Sequence, residues 1–227
     1  MAISYIGGAS GGGTDTAISV THGLTILEDD VIIASIGSDS PGTTTCLDNN
    51  GANSFNEEYD STPSINTMAA HIYSRVAGAS EPSAYAFTLS VSEGFSIMIQ
   101  QFRGVDTAAI WDIDPTSAAW SSDTSDATPA VIADISTIVD GAEAIAFCMA
   151  DSGSVAFTSI DNSFANELEP SGGLRCAAWR RNVATAGLIG ATSIALSVGK
   201  KTDAIIFALN PAAGGGATIE VPLGPLR

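Results

Sequence analysis

Positive charge is what this chain has least of. Across 227 residues, 8 Lys and Arg face 25 Asp and Glu, for a formal net charge of −17. A field of that sign repels phosphate backbones. The adjacent basic pairs, Arg180-Arg181 and Lys200-Lys201, form no stripe, so no nucleic-acid partner is expected. The acidity reads instead as a solubility device. Cysteine is also scarce: Cys46, Cys148 and Cys176 are widely spaced and include no C-x-x-C pair, which excludes a zinc knuckle and a thioredoxin motif. Cys148 and Cys176 are the pair a disulfide would join. Both sit in apolar words, EAIAFCMA and RCAAW, where cysteine behaves as a small hydrophobe. No apolar run approaches the roughly 18 residues that a membrane-spanning helix needs, so no membrane partner is expected. The opening MAISYIGG has neither a basic n-region nor a long apolar h-region, and no N-x-S/T acceptor occurs; synthesis in a cytoplasm is expected. Charged residues make up 15% against 45% hydrophobic, which argues against disorder. The length suffices to bury a core without staples.

What is present is β-structure. Short β-rich runs alternate with Gly, Ser, Thr, Asp and Pro, the signal for a sandwich or barrel. Candidate strands are ISYIG (3–7), TAISV (16–20), VIIASIG (31–37), MAAHIYSRVA (68–77), AYAFTLS (84–90) and FSIMIQQF (95–102). After a polar middle come AVIADI (130–135), EAIAFCMA (143–150), VAFTSI (155–160), RCAAWRRN (175–182), TSIALSV (192–198) and DAIIFAL (203–209). No stretch keeps a helical apolar period over three turns. In IADISTIVDGAEAIA, Gly141 and the β-branched density favour two strands joined by a turn. FSIMIQQF and DAIIFAL are apolar on both faces, as in a central strand or one partly covered by a neighbouring subunit. The expected fold is an all-β antiparallel two-sheet sandwich, jelly-roll-like, over residues 1–211. Two tandem sandwiches divided within PTSAAWSSDTSDATP (115–129) are the alternative. The glycines of GGASGGG (7–13) suggest a flexible loop. Residues 212–227 read as a Gly-hinged extended arm in which Ile219, Val221 and Leu223 alternate with Glu220 and Pro222. Such an arm, with Leu226, is suited to adding a strand onto another subunit.

Few residues point to chemistry. Gly8-Ala9-Ser10-Gly11-Gly12 matches the G-x-S-x-G nucleophile elbow, but a strand, not a helix, follows it. His22 and His71 are the only imidazoles that could act as base. No Gly-Lys-Ser/Thr closes the glycine run, so it is not a phosphate loop. Two distant histidines make no zinc site. Asp48, Asn49, Asn50, Glu57, Glu58 and Asp60 gather oxygen atoms in one loop, but without the order of a calcium loop. No metal and no cofactor is therefore expected. Trp111, Asp112 and Asp114, with Trp120 nearby, are the makings of a ligand-contacting loop in which aromatic rings stack on a sugar. Carboxylates two residues apart on one strand do not suit the paired geometry of a glycosidase. The expectation is a protein that is not an enzyme.

YSRVAGASEPSAYAFTL (73–89) reads locally as a hairpin. Glu81-Pro82 fixes the turn, and Tyr73, Tyr85 and Phe87 pack the sheet. The same words resemble the Y-K-V-A-x-A-S-E-P-x-x-Y-x-F-T-L signature of β-sandwich virion proteins of tailed bacteriophages. QFRGVD (101–106) is similar to that family's Y-R-G-V-D strand end. LEDDVIIASIG (27–37) resembles its G-D-x-L-L-A-x-V strand, and DAIIFALNP (203–211) its closing A-x-L-A-L-x-P. The words follow the family's order across most of the chain. Glu28-Asp29-Asp30 stands where Gly-Asp is usual, and the acidic loop 46–62 replaces a P-P-x-G-W-T segment. The resemblance implies a structural protein of a phage virion, made in the bacterial host cytoplasm. It would act as a capsid decoration protein or a head or tail accessory. Its partners would be other virion proteins, such as major capsid or tail proteins, and copies of itself. The alternative within the same resemblance is a tail-fibre or tail-tip module that recognises a host surface glycan.

Overall fold

A computed structural model describes residues 2–39, 45–61, 68–118, 120–126, 130–152, 154–170 and 174–213, with the backbone alone at 166 and 167. The first half of the chain supplies β1 (Ser4–Thr21), β2 (Val31–Asp39), β3 (Cys46–Asp48), β4 (Asn56–Asp60), β5 (Met68–Val76) and β6 (Ala84–Arg103). These form one sheet in the order β1-β6-β2-β5-β4, with β3 also on β6. The second half begins with β7 (Trp111–Ile113), β8 (Ser121–Asp123), β9 (Ala130–Ile132) and β10 (Ile135–Thr137). It continues with β11 (Ala142–Ala150), β12 (Phe157–Ile160), β13 (Ala165–Leu168) and β14 (Arg175–Val183). It ends with β15 (Gly187–Ile189), β16 (Thr192–Leu196) and β17 (Thr202–Leu209). The order β13-β14-β11-β17-β7, with β8 also on β17, makes the second large sheet. A three-stranded sheet β12-β16-β9 and a ribbon β10-β15 complete the set. The all-β antiparallel two-sheet sandwich expected from the sequence is present. Each large sheet is drawn from one half of the chain, and the strand orders add no jelly-roll connection pattern to it.

Three apolar layers explain why so many strands are apolar on both faces. Between the large sheets, Ile33, Ile72, Met98 and Phe102 meet Ile145, Phe147, Cys176 and Phe207. On the far side of the second sheet, Ala144, Ala146, Trp179 and Ile206 are covered by Ile132, Ile135, Ile189 and Ile194 from the small sheets. On the far side of the first, Ile32, Ala34, Ile36, Ile97 and Ile99 are covered by Ile18, Val20, Tyr85, Phe87 and Leu89. The second faces of FSIMIQQF and DAIIFAL are thus buried by strands of the same chain.

The third layer exists because β1 and β6 double back on themselves as a pair. Phe87 and Ile99 are twelve residues apart on β6 and would lie ~40 Å apart on a straight strand. Yet both line one core, and the Phe87 ring is 5.1 Å from that of Tyr73. Tyr73 sits opposite Ala34, which sits opposite Ile99. The corner shows in the register: Asp15 faces Glu93, but Ala17 faces Thr88, five steps on β6 against two on β1. Residues 7–13 are therefore mid-strand, paired with Phe95–Gln101, and not the flexible loop their glycines suggest. A Cβ on Gly7 would lie 3.0 Å from Leu24 Cδ2, and one on Gly11 3.3 Å from Val20 Cγ2. Glycine is there so that the folded-back half can lie close to the backbone.

Two further expectations change. Strands β5 and β6 do not pair: each is hydrogen-bonded to β2, which lies between them. Residues 77–83 therefore form no hairpin; they cross the end of β2 and carry the chain into the folded-back layer. Cys148 and Cys176 form no disulfide, and all three cysteines are free and buried. Cys148 faces the outer core and Cys176 the core between the sheets, so a strand separates their thiols. The turn in IADISTIVDGAEAIA is as expected: β10 and β11 flank a turn in which Gly141 takes φ +81°. Ile219, Val221, Leu223 and Leu226 of the C-terminal segment lie outside the described residues.

The sheets approach closely at Gly37, where an added Cβ would lie 2.5 Å from Cys176 Sγ and 2.8 Å from Met149 Sδ. Gly37→Ala should therefore lower stability by about 1–3 kcal/mol, as overpacking does in a filled core, read as a lower urea midpoint at unchanged slope.

Candidate functional site

The polar residues of the family-like words converge at the end of the sandwich where β5, β6 and the loop before β2 meet. Glu81 is pulled inward by the 77–83 crossing, leaving its side chain 3% exposed. Arg75 on β5 reaches it through Nε (3.1 Å to each carboxylate oxygen) and Nη2 (2.8 Å). The Gly78 N–H donates to it at 2.7 Å and the Tyr85 hydroxyl at 2.9 Å. The same guanidinium donates to Ser54 O and Asn53 Oδ1, each at 2.9 Å, tying the loop before β4 to the crossing. Burial pushes the Glu81 carboxyl upward, but the Arg75 guanidinium, the Gly78 N–H and the Tyr85 hydroxyl outweigh it and hold it below the usual range. Burial, then Glu81 beside it, pushes the Tyr85 phenol up.

The second brace joins LEDD to QFRGVD. Asp30, 1% exposed, accepts from Arg103 Nε (2.7 Å) and Nη2 (2.8 Å), from Gln101 Nε2 (2.6 Å) and from the Leu27 N–H (2.9 Å). Burial raises its carboxyl, and Arg103, Leu27 and Gln101 together bring it below the ordinary value. Asp29, at the position where the resembled pattern has glycine, takes φ +68°, a left-handed conformation that aspartate tolerates better than most residues. The two signature words therefore act structurally, as clamps on the chain entering β2 and β6.

His22 lies between these braces, a residue to which the sequence offered only the role of a general base. The residue is 7% exposed and its ring stacks on Tyr85 at 4.8 Å, while its main-chain N–H donates to Ser83 O at 3.0 Å. Burial holds the imidazole below its ordinary value, with Glu81 opposing. His22, Gly23–Ile26 and Glu81–Ser83 line an open cleft of about 480 Å³. A neighbouring open cleft of about 420 Å³ is lined by Glu28, Asp29, Arg103, Asp106 and Ala213.

The other sequence candidates are dispersed. Ser10 is exposed in the middle of β1, so the G-x-S-x-G match is extended strand and has no elbow. His71 is fully buried against Asp60, with Nδ1 2.8 Å from Oδ1. In the acidic loop Asp48 takes the Asn50 amide and the Phe55 N–H (3.2 Å), and Glu58 takes the Ser74 hydroxyl. Among the described residues no group of three or more His, Cys, Asp and Glu could hold a metal ion. Trp111 packs edge-on against Phe207 at 5.7 Å, and Trp120 stacks on Tyr59 at 5.2 Å. The Asp112 carboxylate accepts from the Ile138 N–H (3.0 Å), and Asp114 accepts from the N–H groups of Thr116 (2.8 Å) and Ser117 (2.9 Å). These aromatic rings and carboxylates are thus engaged with the protein itself. No family model, curated protein or solved structure matches the chain.

Removing one partner of a buried ion pair leaves the other charge uncompensated. Arg75→Ala should cost about 3–5 kcal/mol by urea denaturation near neutral pH. In the wild type, the depressed Glu81 carboxyl contributes stability that is complete above roughly pH 4.3, the unfolded value. That contribution is lost as pH falls through the lower native value. Without Arg75 the largest lowering influence is gone and burial dominates, so the acid limb of the stability profile should move to higher pH.

Proposed function

We propose that this protein is a non-enzymatic structural component of a tailed-phage particle, a capsid decoration protein or a head or tail accessory that binds other virion proteins. The observation that carries the reading is the ordered run of family-like words from residue 27 to residue 211. It is supported by the part those words play here: Glu81, Arg75, Asp30 and Arg103 brace the scaffold, and a scaffold is what relatives with different partners would share. Extended strand at Ser10 and the separate engagements of His22 and His71 also favour a protein that works by adhesion. Adhesion of this kind rests on apolar area buried at roughly 25 cal/mol per Å². A glycan-recognising module is the less favoured reading, because Trp111 and Trp120 lie against Phe207 and Tyr59.

The test is to mix the purified protein with phage particles assembled without it, and in parallel with host cells and a glycan array. Saturable co-sedimentation with the particles, and no binding to cells or glycans, is the expected outcome. Binding to host surface with none to particles would replace this reading with the host-recognition one.

A further inference from the structure

The two most exposed large apolar side chains among the described residues, Ile138 and Leu188, lie on the β10–β15 ribbon and the residue that follows β10, and Val131 on β9 is exposed as well. Ile138 is 75% exposed, Leu188 66% and Val131 52%. The strand period explains their shared direction. In β10 and β15, Ile135, Thr137 and Ile189 point into the core, which sends Ser136 and Leu188, directly opposite each other, outward. Ile138 continues the outward row and lies diagonal to Leu188. In β9, Ala130 and Ile132 point inward and Val131 outward. An apolar strip on so acidic a chain is a surface that something covers.

The chain itself supplies a matching segment at the right place. After β17, Pro211, Ala212 and Ala213 line a surface hollow together with Val139, Asp140, Gly141 and Ala184. Val139 follows Ile138 directly, and Ala184 lies three residues before Gly187. Ala213, the last described residue, thus lies beside the end of the β10–β15 ribbon that carries the apolar strip. In ATIEVPLG the side chains of Ile219, Val221 and Leu223 fall on one side when extended, ~6.6 Å apart. Glu220 and Pro222 fall on the other side, and Pro222, which lacks an N–H, suits an outermost strand. Residues 217–223 carry a single charge, Glu220, so this segment meets far less repulsion than a second copy carrying net −17 would. Tethering presents it to its own strip at about millimolar effective concentration.

We propose that residues 217–223 of this chain lie across Ile138 and Leu188, covering the outward face of the β10–β15 ribbon in the same molecule. The surface an arm was expected to find on another subunit is thereby found on its own. The inference does not depend on the phage reading.

The test is the double variant Ile138→Cys with Val221→Cys in the full chain, oxidised at low concentration. The native thiols will not compete: Cys46, Cys148 and Cys176 are at most 1% exposed, and burial pushes the Cys46 thiol up to about 12. The expected product is a folded monomer in which the two introduced thiols have been lost to an intrachain disulfide. Thiols that stay free, or a disulfide-linked dimer, would overturn the proposal. Amide exchange provides the independent reading without new cysteines. Residues 217–223 should exchange about tenfold or more slowly than a free peptide in the wild type, and at peptide rates in Leu188→Asp, a change at an exposed site. Equal, unprotected exchange in both proteins would also overturn it.

Discussion

The close approach of β1 to its own continuation governs the rest of this fold. Gly7 and Gly11 present bare backbone to Leu24 and Val20, so the β1/β6 ribbon can turn a corner and lie back over the sheet it belongs to. Without that third layer, Ile32, Ala34, Ile36, Ile97 and Ile99 would face water across the middle of the first sheet. With it, both large sheets are sealed on both faces by one chain. The two buried carboxylate clamps fix the ends of this arrangement. Glu81 anchors the crossing that delivers β6 to the upper layer, and Asp30 anchors the loop that returns from β1 to β2.

The scarcity of basic residues acquires a structural meaning. Of the 8 Lys and Arg in the chain, Arg75, Arg103, Arg175 and Arg180 are each paired with a carboxylate that is mostly withdrawn from water. Arg180 also lies 4.7 Å over the Tyr5 ring, joining the second sheet to β1. Arginine suits such positions because its planar fork satisfies two oxygens at once. Half of the positive charge therefore acts inside the scaffold, and the acidic residues outnumber the bases left over. An excess of that sign disfavours association with nucleic acid or with a second identical copy.

Much of the architecture was legible because sandwich strands carry their own local signals. VIIASIG, EAIAFCMA and DAIIFAL all fall on strands, and the two-sided apolarity of FSIMIQQF and DAIIFAL marked strands flanked on both sides. What was not legible is what depends on non-local pairing. Glu81-Pro82 forms a competent turn, but nothing in residues 73–89 reveals that β2 is inserted between the strands on either side. GGASGGG has the composition of a loop, since a missing side chain looks the same whether it provides freedom or room. Three-residue strands such as β7 and β8 are too short to carry a period of their own and take their order from the edge of β17. Of the candidate site residues, Trp111 and Trp120 were conspicuous as rings but silent about which surface they would meet. His22 gave no signal beyond being one of two histidines, and its burial follows from the folded-back ribbon.

The most direct measurement is residue-resolved amide hydrogen exchange across Gly7–Gly13 in the native protein. Strand pairing with Phe95–Gln101 beneath a folded-back layer predicts that the ladder-bonded amides of this glycine run exchange as slowly as those in the middle of β2. Exchange across all of these glycines at the rate of an unstructured peptide would contradict the account, since the third layer would then have nothing to rest on.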